Sequence, residues 1–171
     1  MSLHSIVDVS CRCLETLEEA LHSLDPELYA KGSQKMGSIS MHVRHIAEHY
    51  TTLAGGLESG RFSYDCRERD RLLETSVEAA MERLRDIRNW LTALTDHSCT
   101  ALCYEARIDP AQQDSLVQIE TNLRRELVFL HCHTIHHMAI LAKLLCDAGV
   151  QVPDTFGVAP STLHHLAAST S

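Results

Sequence analysis

Histidine is the residue type that stands out in this chain. Twelve occur in 171 residues, and seven of them fall in two short windows, at 42–49 and 131–137. The first window holds His42, His45 and His49, and the second holds His131, His133, His136 and His137. The remaining five (His4, His22, His97, His164 and His165) are scattered. Imidazole is the commonest metal ligand and the one side chain that changes charge near neutrality. Paired histidines at helical spacing therefore suggest a metal site before anything else.

Residues on a helix advance by about 100° each. With His133 set at 0°, His137 falls at about 40° and Glu126, two turns earlier, at about 20°. Leu130, Ile140, Leu141 and Leu144 share that arc, which puts the pair inside an apolar, core-facing stripe. His131 falls on the opposite side, at about 160°, and His136 lies at the margin. Two imidazoles at i and i+4 are roughly 5–6 Å apart at Cβ, close enough to reach one ion. Buried among leucines without a partner, they would carry a desolvation cost that a metal removes. The plainer alternative is a pair of core histidines hydrogen-bonded to neighbouring helices.

The earlier window supplies the complement. His42, His45 and His49 share one helix face beside the apolar stripe; the alternative for two of them is a solvated edge. One ligand from this set would complete three imidazoles with an open position, the arrangement of a catalytic rather than a structural zinc-type site. Glu126, on the ligand face, is the candidate base or outer partner. Its alternative is an exposed glutamate favoured by the helix dipole. Cys11, Cys13, Cys99 and Cys103 lack zinc-knuckle spacing and read as structural. In the charged run 65–71, Arg67, Arg69 and Arg71 could offer a fork to an anionic substrate, against the simpler reading of a solvated loop.

Four amphipathic helices must position these groups. The first spans 3–24 and stops at Asp25-Pro26, and a Gly/Ser/Lys-rich connector at 31–38 follows. A second runs from about Ser38 to Leu57, with Gly55, Gly56 and Gly60 blurring its end. Residues 60–75 have no apolar period and read as a long loop. Thr75-Ser76-Val77-Glu78 is a capping box for a third helix through Val77, Ala80, Leu84, Ile87, Leu91 and Leu94. Alternation at 101–108, the turn pair Asp109-Pro110 and the run at 116–119 allow a β-hairpin or an irregular crossover. A fourth helix, Thr121 to Asp147, closes at Gly149 and Pro153. The tail 161–171 is small and polar enough to be mobile, while 152–163 could lie along the helices. The expectation is one all-α domain, a four-helix bundle over 1–171 with room for a short hairpin between its third and fourth helices.

Composition excludes several classes. The length fits one domain. Fifteen basic against 23 acidic residues, a net charge of −8, argue against a nucleic-acid or anionic-membrane surface. Seven scattered cysteines and an N-terminus without a basic and apolar leader argue against secretion. No window approaches 18 uninterrupted apolar residues, so no spanning helix is expected. The expectation is a soluble, reduced, cytoplasmic protein.

With 40–49 reading Ser-Met-His-Val-Arg-His-Ile-Ala-Glu-His and 133–140 reading His-Thr-Ile-His-His-Met-Ala-Ile, the chain resembles the DinB/YfiT-like superfamily over roughly residues 1–150. The resemblance implies an up-down-down-up four-helix bundle, frequent homodimers and a divalent metal, which is nickel, zinc or iron in different members. The family's H-x-x-H-H pattern implies His133 and His137 as ligands. Its third ligand, a histidine before a small apolar pair, matches His45-Ile46-Ala47; His49 is first reserve and His42 second. Activities in similar proteins, thiol S-transfer and hydrolysis, imply a small-molecule substrate, with thiols among the candidates. Met138-Ala139-Ile140 departs from the family's Arg-Gly-Gln, and 64–71 and 156–163 are departures of their own. A bundle that binds metal without catalysis, or a metal-free dimeric interaction module, is the alternative.

Overall fold

In the computed structural model the described residues are 2–33, 36–94, 101–109, 111–112 and 115–169. His97, Cys99, Pro110, Gln34-Lys35 of the connector and the last two residues of the tail lie outside them. Four long helices dominate: α1 (Leu3–His22), α3 (Ile39–Ser59), α5 (Val77–Ala93) and α6 (Leu123–Asp147). Both α1 and α3 pack against α5 and α6. Between these helices lie α2 (Pro26–Ala30), β1 (Gly32–Ser33), β2 (Gly37–Ser38), β3 (Arg61–Phe62), α4 (Leu72–Thr75), β4 (Ala101–Arg107) and β5 (Leu116–Asn122), and α7 (Pro160–Ser169) is the last element among the described residues.

Each long helix starts where a side-chain oxygen satisfies an otherwise unpaired backbone N–H. Ser2 accepts from Ser5, Ser38 from Met41, Ser76 from Ala79 and Asn122 from Arg125. The expected capping box does not form: the cap is Ser76, one residue later, and its third helical residue is Ala79, which cannot return a hydrogen bond. Ser76 has the extended backbone a cap needs, whereas the Thr75 hydroxyl donates to the carbonyls of Arg71 and Leu72 inside α4. At the other end of α3, Gly60 takes a φ of +75° and returns its N–H to the Gly56 carbonyl. That turn lays β3 back on the helix so closely that a Cβ at Gly56 would sit 2.7 Å from Phe62 Cβ.

Residues 60–75 form more than the loop their missing period suggests. Phe62, Tyr64 and Leu73 are buried at irregular spacing, and Tyr29 of α2 donates to the Leu73 carbonyl at 2.6 Å. The strand alternative holds at 101–122. There β4 and β5 pair antiparallel with Tyr104 opposite Ile119, and β3 adds in parallel on the other side of β4. The all-α expectation is therefore corrected to a helix-rich chain with a small three-stranded sheet, in which Val117, Ile119 and Thr121 of β5 alternate with polar residues and Tyr104 of β4 pairs with Ile119, a pattern that suits a pleated, half-buried surface.

The core stripe of α6 runs through Leu123, Glu126, Leu127, Leu130, Thr134, Met138, Leu141 and Leu145. His133, His137, Ile140 and Leu144 flank this stripe, half-buried, rather than sharing its centre. Helix α6 also reaches the length and apolar composition of a membrane span, which the absence of an unbroken apolar run had excluded. In this fold its apolar side meets α1 and α3. Residues 156–158 lie along α6 as well. Phe156 is buried, and a Cβ on Gly157 (φ +71°) would meet the Ala139 backbone nitrogen at 2.3 Å. The tail beyond, to residue 169, is an exposed helix.

Candidate metal centre

Packing of α3 against α6 brings five histidines together. His45 Nε2 lies 3.0 Å from His133 Nε2. His49, 4% exposed, has its ring 4.4 Å from that of His133 and 4.3 Å from that of His45. His137 lies 4.5 Å, ring to ring, from both His45 and His133, and its Nδ1 is 2.9 Å from His42 Nδ1. Helical spacing makes this possible, since 42, 45 and 49 on α3 and 133 and 137 on α6 each recur within one or two turns. His136 is exposed and His131 faces away, so neither joins the group's hydrogen bonds.

Among the described residues the best-converged ligand atoms belong to His45, His49 and His133, all within 4.8 Å of one another. This trio shares His45 and His133 with the set implied by the family resemblance. Its third member is the first reserve, His49, with His137 on the flank. Tetrahedral coordination at 2.0–2.1 Å spaces ligand atoms by about 3.3 Å, so modest side-chain movement would fit the trio to an ion. The His49 Nδ1 lies 2.7 Å from the His45 carbonyl, which can only accept. Nδ1 therefore carries the proton and Nε2 keeps its lone pair, the outer-partner arrangement typical of metal-bound histidines.

The electrostatics favour neutral rings. Burial, then neighbouring imidazoles and Arg67, pull His45 down to about 2. Burial pulls His49 to about 4, His133 downward, and His137 to about 3. Neutral imidazole is the metal-binding form. The donor set, the proximity and the charge state all suit a first-row divalent ion.

Aromatic rings wall one side of the group. Phe129 stacks on His133 with centroids 5.5 Å apart, and Tyr64 stacks on His49 at 5.0 Å. Behind Tyr64 lies Glu126, fully buried. Its carboxylate accepts from the Tyr64 hydroxyl at 3.0 Å, from Thr121 at 2.6 Å and from Arg125 at 2.7 Å. Glu126 is thus joined to the histidines through Tyr64 rather than by direct contact. The exposed-glutamate alternative does not hold.

Arg67 turns inward. One of its terminal nitrogens donates to the Tyr64 carbonyl, and its Nε lies 3.7 Å from Glu48. Arg69 is exposed with a φ of +55°, and Arg71 immediately precedes α4. Cys13 contacts the Met138 sulfur at 3.1 Å and burial pushes its thiol up to about 11; Cys11 reaches the Arg88 carbonyl. Both are packing residues.

Two residues escape sequence reasoning. Glu48, 3% exposed, pairs with Arg44 at 3.8 Å and Arg67, and accepts the Asp70 N–H at 2.7 Å. Tyr64 bridges His49 and Glu126. Glu48 is marked only by following the buried Ile46-Ala47 pair on α3, and Tyr64 by being an aromatic residue in an otherwise charged run.

A search of solved structures returns no match to this chain. Over 105 residues, 61% of the chain, it is 35% identical to FK506-binding protein 5 of Rhizopus delemar. It spans only 27% of the length of that relative. The DinB family model matches residues 12–164, a stretch that includes all five clustered histidines and the helices that carry them. By that match this chain belongs to the DinB family.

Proposed function

We propose that this chain is a metal-dependent enzyme built on a four-helix bundle of up-down-down-up topology. In this reading one divalent ion, nickel, zinc or iron, is held by His45, His49 and His133, with His137, 4.5 Å ring to ring from His45 and His133, joining them as a further ligand. The observation that carries it is the convergence of three neutral imidazoles from two helices within 4.8 Å. Such an ion would supply a Lewis acid that lowers the pKa of a bound water or thiol. The substrate class is a small molecule, a thiol or a hydrolysable electrophile.

The chain's own groups then divide the remaining work. Phe129 and Tyr64 shield the histidines on one side and limit water there. Glu126 holds the Tyr64 hydroxyl, and through it the stacked His49 ring, in place. Burial, with a smaller contribution from the Arg67 guanidinium at His45, His49 and His133, keeps the imidazoles unprotonated, and Arg67 with Arg69 favours an anionic ligand. Free cysteines at 11, 13, 66, 103, 132 and 146 suit a reducing cytoplasm. A homodimer remains part of the proposal on the strength of the family.

A second reading has its own observation. The His137 ring is as near His45 and His133 as they are to each other, so zinc could be enclosed by four imidazoles, a structural or sensing site. Nickel and iron accept more than four ligands and keep open positions. The test is a cobalt- or nickel-loaded sample titrated with a small thiol. A changed ligand-field spectrum with the fold intact supports the enzyme reading. A spectrum indifferent to thiol supports the closed site.

A further inference from the structure

We infer that His42 is a positioning residue, which holds His137 by a two-step hydrogen-bond relay in the tautomer that offers its Nε2 to the ion. The inference rests on the reading of this cluster as a metal centre. The relay begins at a backbone carbonyl. Met36 O lies 2.7 Å from His42 Nε2, and a carbonyl only accepts, so Nε2 carries the hydrogen. In neutral His42 the lone pair is then on Nδ1. That atom faces His137 Nδ1 at 2.9 Å, and the only hydrogen left to join them is on His137. His137 is therefore protonated at Nδ1 and carries its lone pair on Nε2, on a ring 4.5 Å from those of His45 and His133.

Met36 precedes Gly37, whose φ of +75° turns the backbone into β2 and the Ser38 cap of α3. His42 sits one turn into that helix, four residues after the cap. His49 is oriented in the same way in one step, by the His45 carbonyl. The opposite role for His42, as a ligand itself, leaves its own tautomer unchanged and demands the opposite one of His137. Its Nδ1 and that of His137 would both present lone pairs to an ion, and His137 would carry its hydrogen on Nε2. The two roles are thus separable by spectroscopy.

The experiment uses ¹⁵N-histidine-labelled full-length protein near pH 8, first without metal. Long-range ¹H–¹⁵N correlation reads the tautomer of His137, and competition titration reads nickel and zinc affinity. Both are applied to the natural chain, His42→Leu and His42→Gln, with circular dichroism as the check on folding. Glutamine can accept from His137 and donate to Met36, so it should restore the relay. The expected result is the Nδ1–H tautomer in the natural chain, with mixed tautomers in His42→Leu. Affinity in that variant should fall about 10–100-fold at unchanged stoichiometry, and His42→Gln should recover most of it. An Nε2–H tautomer in the natural chain, unchanged affinity in His42→Leu, or loss of a whole equivalent of metal there would overturn the inference. A natural chain that takes up no metal would sink the functional reading instead, while the metal-free spectrum still decides the relay.

Discussion

The histidines were readable because their chemistry and their spacing coincide. An i, i+4 pair on an apolar helix is informative wherever that helix packs, and the angular placement of His133 and His137 brought them to α3 as expected. Their exact depth was not readable. Thr134 and Met138 take the centre of the α6 stripe and push the pair to its flank, where the α3 histidines meet them. Glu48 and Tyr64 were hidden for a different reason: each acquires its role only when residues 61–70 fold back on α3, a contact that no local period encodes. Two predictions belong to this scale. Tyr64→Phe leaves a Glu126 oxygen buried without its donor, which should cost about 1–3 kcal/mol in urea unfolding while metal content is unchanged. Glu48→Ala removes the carboxylate that faces Arg67 and accepts the Asp70 N–H, while Arg44 keeps Glu74 at 3.0 Å. The expected cost is about 1–3 kcal/mol, that of a buried donor left without its partner. Equal unfolding midpoints for Glu48→Ala and the natural chain would remove that network from the account.

At the scale of elements, the four long helices follow from apolar spacing and from serine and asparagine caps, both local signals. The hairpin at 101–122 was left open by its sequence because alternation over so few residues fits a strand or a crossover equally. Pairing with β3 makes it a sheet, and that partner sits some 40 residues earlier in the chain. The segment at 156–158 is similar: nothing local announces that Gly157 lies against the backbone of α6. Its φ of +71° and the 2.3 Å approach of the Ala139 nitrogen leave no room for a methyl group. Gly157→Ala should therefore cost about 1–3 kcal/mol, by backbone strain and overpacking together, measured as a lower thermal midpoint. Because Ala139 lies two residues beyond His137, the same variant should also weaken metal binding. A variant as stable as the natural chain would mean that this segment does not dock on α6.

For the whole molecule, the consequence is a coupling of pH, stability and metal. His45, His49 and His137 are held at about 2, 4 and 3, below the value of about 6.5 expected in the unfolded chain. The folded state thus binds fewer protons than the unfolded state under mild acid. The associated stability is fully present above about pH 6.5 and declines as pH falls toward those folded values. Metal affinity of the folded chain should hold through mild acid and weaken only as pH approaches those folded values, where protons compete for the same nitrogens. Urea midpoints recorded from pH 7.5 to 5 should show the decline, and a His45→Ala/His49→Ala variant should flatten it. The family and its helices were accessible from sequence because they rest on local patterns, whereas the choice of third ligand depends on how two helices meet. Metal content by elemental analysis, on untagged protein prepared without chelator, tests the central claim most directly. About one equivalent in the natural chain and almost none in a folded His45→Ala/His133→Ala variant is the predicted result. No metal in either, after reconstitution with nickel, zinc and iron at neutral pH, would contradict it and leave the histidines as packing residues of a helical interaction module.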